Sequence, residues 1–162
     1  MNTGVSADLQ IACKATGVPP KKEIEDWLSR VLAEARSSPA GASEISIRVV
    51  DELESRTLNL NYRGKDQSTN VLAFPVDLPD IGAWPEGTAI PLGDLVICAP
   101  VVAREAGEQG KDLAAHWSHM LVHGMLHLLG YDHETDVQAE TMEALEIRIL
   151  QAQGVENPYE DK

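Results

Sequence analysis

The sequence predicts one α/β or α+β domain. Three observations carry that expectation. The chain has 162 residues, the length of a single domain and enough to bury a core without disulfides. Hydrophobic residues make up 43%, a normal globular share that argues against general disorder. Segments with a period of two alternate along the chain with segments on a helical period. There is no internal repeat, no low-complexity tract and no linker, so 1–162 reads as one unit. With only 1 Phe, 3 Trp and 3 Tyr, the core must be mostly aliphatic.

Val5, Ala7, Leu9 and Ile11 alternate with Ser6, Asp8 and Gln10, the pattern of a half-buried strand. Pro19-Pro20 then opens a helix with Ile24, Trp27, Leu28, Val31 and Leu32 on one stripe. Ser37-Ser38-Pro39 and Gly41 end it. A second strand runs from Glu44 to Val50, with Ile45, Ile47 and Val49 on one face. Asp51 is an N-cap for a short helix to about Leu60. A polar loop, Asn61 to Asn70, leads to a short strand, Val71 to Phe74.

Asp77 to Leu92 holds three prolines and two glycines and reads as a long surface loop. Leu95 to Cys98 is a buried strand. Pro100 starts a helix running to about Gly110. Asp112 caps the next helix, which continues to Leu129 until Gly130 stops it. Thr135 or Asp136 begins the last helix, with Met142, Leu145, Ile149 and Leu150 as its apolar stripe. The tail from Gly154 is polar and expected to be only partly ordered.

The formal charge is −13. That excludes a generic basic nucleic-acid binder, which works through clustered Lys and Arg. Residues 1–75 carry 9 basic and 10 acidic groups, and residues 76–162 carry 4 and 16. The acidic second half reads as a solvated surface, so an anionic ligand should meet the first half or a local metal ion. Cys13 and Cys98 form no C-x-x-C pair, which fits a reducing compartment. The first ten residues lack the pattern of a secretory signal. The longest apolar stretch, Leu95 to Ala103, is too short to span a bilayer. A cytoplasmic protein with no membrane partner is therefore expected.

All five histidines, His116, His119, His123, His127 and His133, fall within 18 residues. Positions i and i+4 share a helix face, so His119, His123 and His127 line one side of the helix ending at Gly130. Two imidazoles one turn apart can bind one zinc ion at about 2.0–2.1 Å. Gly130 can turn the chain so that His133 reaches the same ion. Three protein ligands leave a fourth position for water, the arrangement of a catalytic zinc. A structural zinc needs a fourth protein ligand, and neither cysteine is near in sequence. His119 and His116 are expected to support the ligands, face substrate or pack. Asp132 is expected either to orient a ligand imidazole through its other nitrogen or to be a solvated turn residue.

The spacing His123, His127, Gly130, His133 matches the metzincin frame H-E-x-x-H-x-x-G-x-x-H, so the helix is metalloprotease-like. Position 124 is Gly, however, where a metalloprotease has its general-base Glu. Peptidase activity is therefore not expected.

The run from His123 to His133, HGMLHLLGYDH, closely resembles the signature of the YbeY family, bacterial endoribonucleases of ribosomal RNA maturation. Leu60 to Pro75, LNYRGKDQSTNVLAFP, resembles that family's second conserved block, and Gly93 to Cys98 resembles its G-D-I-x-I strand. Glu140, Glu143, Glu146 and Asn157-Pro-Tyr159 are similar too. The resemblance covers the chain from about Glu44 to Tyr159.

It implies a small mixed β-sheet packed by helices, and one zinc ion per chain on His123, His127 and His133. It implies action on single-stranded RNA in maturation of the 3′ end of 16S ribosomal RNA and in ribosome quality control. The small ribosomal subunit and its proteins would be the context. It also assigns a functional role to Arg63.

Arg63 can meet two phosphate oxygens with its planar fork, and Lys65 could add a second contact. On composition alone, Arg63 would instead pair with Asp66 or another acid. Two resolutions reconcile RNA binding with a charge of −13: a small positive cleft of the zinc, Arg63 and Lys65, which Arg48 and Arg56 could extend, or a ribosomal partner that supplies much of the binding energy. Two alternatives stay open: a ribosome-assembly factor with a mainly structural zinc, and a zinc hydrolase of another phosphoester or an amide.

Overall fold

The computed structural model describes residues 4–35, 42–76 and 89–159. Nine elements follow one another: β1 (Val5–Ile11), α1 (Lys21–Ala35), β2 (Ser43–Val50), α2 (Glu52–Arg63), β3 (Val71–Pro75), β4 (Ile90–Cys98), α3 (Ala99–Gln109), α4 (Leu113–Leu128) and α5 (Asp136–Gln151). The strands form one mixed sheet of order β1-β2-β4-β3. β1, β2 and β4 are parallel, and β3 runs antiparallel at the β4 edge. The single α/β domain with a mixed sheet expected from the sequence is therefore present.

The period-two strands divide the sheet into two unlike faces. The inner face presents Val5 and Ala7, Ile45, Ile47 and Val49, then Leu95 and Ile97. They join Ile24, Leu28, Trp117, Leu121, Met125, Met142 and Leu150 from α1, α4 and α5 in one aliphatic core. The outer face is covered only in part. α2 and α3 close a small cluster of Val50, Leu72, Val96, Cys98 and Val101 with Leu58 and Phe74. The rest of that face is polar.

α4 is the central helix, with eleven buried residues that include Trp117, Leu121 and Met125. It sits so close to the sheet that a Cβ built on Gly124 would lie 2.9 Å from Leu95 Cδ2 and 3.2 Å from Val71 Cγ2. Gly124 is thus where the helix backbone rests on the sheet. It lies one residue beyond His123, which brings the histidine face to the β3 edge. Gly93 has φ +142°, and a Cβ there would come within 2.4 Å of the Phe74 carbonyl oxygen, so this position needs glycine.

Two boundaries differ from the sequence reading. α2 continues through Asn61, Tyr62 and Arg63 and ends on Gly64 at φ +71°. The polar stretch is therefore loop only after it, and Arg63 belongs to a helix. β4 begins at Ile90 rather than near Leu95, because Ile90 and Leu92 have a buried face to fill despite Pro91 between them. The rest of the predicted 77–92 loop, and the predicted stop of α1 at 37–41, lie outside the described residues. The caps agree better. Asp51 accepts from the Glu54 N–H at 2.9 Å, and Thr135 forms a capping box with Gln138. Asp112 occupies the N-cap of α4 without a side-chain bond.

Candidate metal centre

α4 carries His123 and His127 on adjacent turns. After Leu128 the chain turns at Gly130, with φ +101°. The Gly130 N–H donates to the His127 carbonyl and the Tyr131 N–H to the Leu126 carbonyl, both at 3.0 Å. That closure returns His133 to the helix end. One nitrogen from each of His123, His127 and His133 lies within 4.8 Å of the other two. His123 Nε2 and His127 Nε2 are 3.2 Å apart.

The other side of His123 is fixed by a residue far away in sequence. Its Nδ1 is 2.7 Å from Oε1 of Glu146 on α5. Glu146 is fully buried and also receives His119 Nε2–H on Oε2 at 2.9 Å and the Tyr159 hydroxyl. Burial alone would push this carboxyl up. Hydrogen bonds from His119, His123 and Tyr159 outweigh it and hold the group at about 2. A charged Glu146 makes Nδ1 of His123 the donor, so the Nε2 lone pair faces His127. Histidine metal ligands are commonly oriented by a carboxylate on their second nitrogen in this way.

His127 is held neutral. Burial, then the proximity of His123 and His133, lower it to about 4. Three imidazoles converging on one point, without a carboxylate among them, suit a borderline-soft divalent ion. His119, His123 and Glu146 also bring ligand atoms within 4.8 Å, but those atoms are engaged with one another through hydrogen bonds.

The three histidines line a cleft of about 770 Å³ together with Tyr62, Arg63, Asn70, Phe74, Asp132 and Glu134. Arg63 reaches it from the last turn of α2. The acid that could have neutralised Arg63, Asp66, pairs with Arg56 at 2.6 Å. Among the described residues no ion pair engages the Arg63 guanidinium.

The wider positive cleft expected from the sequence does not form. Lys65 is not among the lining residues. Arg56 is neutralised by Asp66, and Arg48 faces a different groove with Glu54 at 2.5 Å. Of the two roles open for Asp132, its contacts support the turn residue. Its carboxylate accepts from the His133 backbone N–H at 2.7 Å, so it shapes the turn. The orienting carboxylate is Glu146. Its sequence signals were its place among the residues similar to the YbeY family, which carried no role, and an acid on the apolar stripe of the last helix, between Leu145 and Ile149. His119 does sit directly behind the cluster, joined to His123 through Glu146. His116 pairs with Glu105 at 2.9 Å.

A cleft of three converging imidazoles, open on one side and set on a mixed α/β scaffold, defines a metal-dependent hydrolase. Residues 10–154 match the family model described as endoribonuclease YbeY. The match spans most of the chain, which therefore belongs to the YbeY endoribonuclease family. The fold is also similar to the solution structure of TM1509 from Thermotoga maritima. That likeness has a TM-score of 0.54 at 22% identity, over 95% of this chain and 97% of the other. Among the described residues no helix is long and apolar enough to cross a membrane.

Proposed function

We propose that this endoribonuclease cuts single-stranded RNA at one zinc ion held by His123, His127 and His133, with Arg63 gripping the phosphate. The observation that carries this reading is the shared cleft: three converging imidazoles and a guanidinium that no ion pair engages among the described residues line the same walls. A zinc ion bound there would polarise a phosphoryl oxygen and lower the pKa of bound water to about 7. Glu146 fixes the His123 tautomer and keeps its Nε2 available. Arg63 offers two parallel N–H donors to the phosphate oxygens, on which charge builds as the bond breaks. Lys65, outside the cleft lining, would meet RNA only beyond the cut phosphate.

The cellular substrate in this reading is 16S ribosomal RNA at its 3′ end, met in the cytoplasm on the small ribosomal subunit and its proteins. An overall charge of −13 supports that dependence on a carrier, since a net-acidic protein gains little from free RNA.

The test is one RNA with single- and double-stranded segments, treated with wild type and His127→Ala purified identically, with zinc quantified in both. The reading expects about one zinc per wild-type chain, cleavage confined to the single strand, and loss of both in the variant. Equal cutting by both proteins would reveal a contaminant. Zinc retained without cleavage would favour a metal-stabilised assembly factor.

A further inference from the structure

The outer face of the sheet carries a groove of about 480 Å³ that the metal cleft does not explain. Strand register builds it. Asp8 of β1 stands opposite Ser46 of β2, Ser46 opposite Asp94 of β4, and Asp94 opposite Phe74 of β3. One row therefore crosses the whole sheet, polar at the β1 side and aromatic at the β3 side. α2 covers only the neighbouring rows, and its Leu58 and Tyr62 form the opposite wall.

Tyr62 and Phe74 line both this groove and the metal cleft. Their rings meet edge to face at 5.1 Å. They form the wall through which the two spaces adjoin. Tyr62 is 68% exposed in a chain with only seven aromatic residues, and it immediately precedes Arg63. An exposed aromatic ring beside a phosphate-binding arginine is a stacking platform for a nucleobase.

The charges divide the two spaces. Arg48 is neutralised by Glu54, which leaves Asp8 and Asp94 facing the groove. Phosphates are repelled there; in the cleft, where Asp132 and Glu134 also line the walls, Arg63 and a bound divalent ion would supply the attraction. Carboxylates instead accept hydrogen bonds from exocyclic amino groups, as on cytosine or adenine. We infer that the groove is a base subsite: a base adjoining the phosphate at Arg63 stacks on Tyr62 against Phe74 and turns its amino edge toward Asp94. Amino-bearing bases are then preferred over uracil. This inference rests on the RNA-cutting reading above, and the test separates the two.

Short single-stranded RNAs carry 2-aminopurine, a natural base or an abasic site at each position in turn. Binding is read by 2-aminopurine fluorescence, which stacking quenches, and cleavage is read in parallel. At one position wild type and Tyr62→Phe should quench, while Tyr62→Ala should not. KM for natural RNA should rise about tenfold in Tyr62→Ala, in the range of a single base–aromatic stack. That penalty should vanish on RNA abasic at that position, because removing both partners costs no more than removing one. Asp94→Ala should reduce the preference for cytosine over uracil there.

Equal quenching by wild type and Tyr62→Ala, or no quenching at any position, overturns the subsite. So does a Tyr62→Ala penalty that persists unchanged on abasic RNA, or a groove occupied by a peptide with RNA binding unaffected. Quenching that depends on Tyr62 without any cleavage by wild type would uphold the subsite and overturn the nuclease reading.

Discussion

His116 and His119 share helix α4 with His123 and His127, yet the two pairs live in different surroundings. The first pair is buried and each Nε2 faces a carboxylate, Glu105 or Glu146. The second pair opens onto the cleft, where the neighbours of each free nitrogen are other imidazoles. Residue type and helical spacing are the same. What differs is depth and the partner supplied by α3 or α5. A histidine bonded to a buried acid is a structural donor, and one facing other histidines can ligate a cation. His123 belongs to both groups, with Nδ1 on Glu146 and Nε2 toward His127, and it couples them.

The contrast breaks most completely at the outer pair. His127→Ala removes one of three ligands, so zinc content should fall from about one per chain toward zero. RNA cleavage should fall by more than about 100-fold, beyond the loss usual for an outer partner of a ligand. Chelator treatment of wild type should reproduce the effect, and added zinc should reverse it.

Glu146→Gln tests the coupling. Gln keeps the volume but loses the charge that fixes the His123 tautomer. Zinc affinity, read by competition with a chelator, should drop by roughly 10–100-fold. Secondary structure by circular dichroism should persist. Unchanged affinity would mean that His123 is oriented by packing alone.

His116→Ala sharpens the comparison from the other side. Glu105 then loses one partner while Asn70 Nδ2 still reaches it at 3.0 Å. Stability in urea should fall by about 1–3 kcal/mol, with zinc stoichiometry unchanged. A loss of zinc would erase the distinction between the two pairs.

A last effect is in pH. The folded His127 titrates near 4 rather than 6.5, so the unfolded chain binds more protons between those values. The stability of the metal-free protein should therefore fall as pH drops from 6.5 to 4. Glu146, at about 2 instead of 4.5, should continue the decline from pH 4.5 to 2. Bound zinc should steepen the first phase, since protons then compete with the ion. Denaturant titrations at stepped pH, with and without zinc, measure both phases.

Much of this molecule was legible in its sequence. The alternation in Val5–Ile11 and 44–50 set two strands, and Asp51, Gly130 and Thr135 marked helix ends because capping is a local interaction. The three cleft histidines were legible for the same reason, since i, i+4 spacing and a glycine turn are short-range geometry. Glu146 was not. It is brought to His123 by the packing of α5 on α4, across 23 residues, and no local pattern records that. Arg63 was singled out by family resemblance. Its availability depends on Arg56 holding Asp66, a contact between side chains ten positions apart. Arg48 fails as a cleft residue for a related reason: it lines another groove beside Glu54, and sequence position does not say which space on the sheet a charge occupies.

Gly124 sets a barrier in sequence space. The chain holds every element of a metzincin frame but the glutamate, and that one codon change is the obvious route to a peptidase-like site. The backbone at 124, however, rests against the buried Leu95 side chain and against Val71. A glutamate there needs the ends of the Leu95 and Val71 side chains to give way before it fits. A smaller residue at Leu95 would relieve the tightest of these contacts. What separates the two chemistries on this scaffold is a steric contact, and a laboratory library that varies positions 95 and 124 together is the way across it.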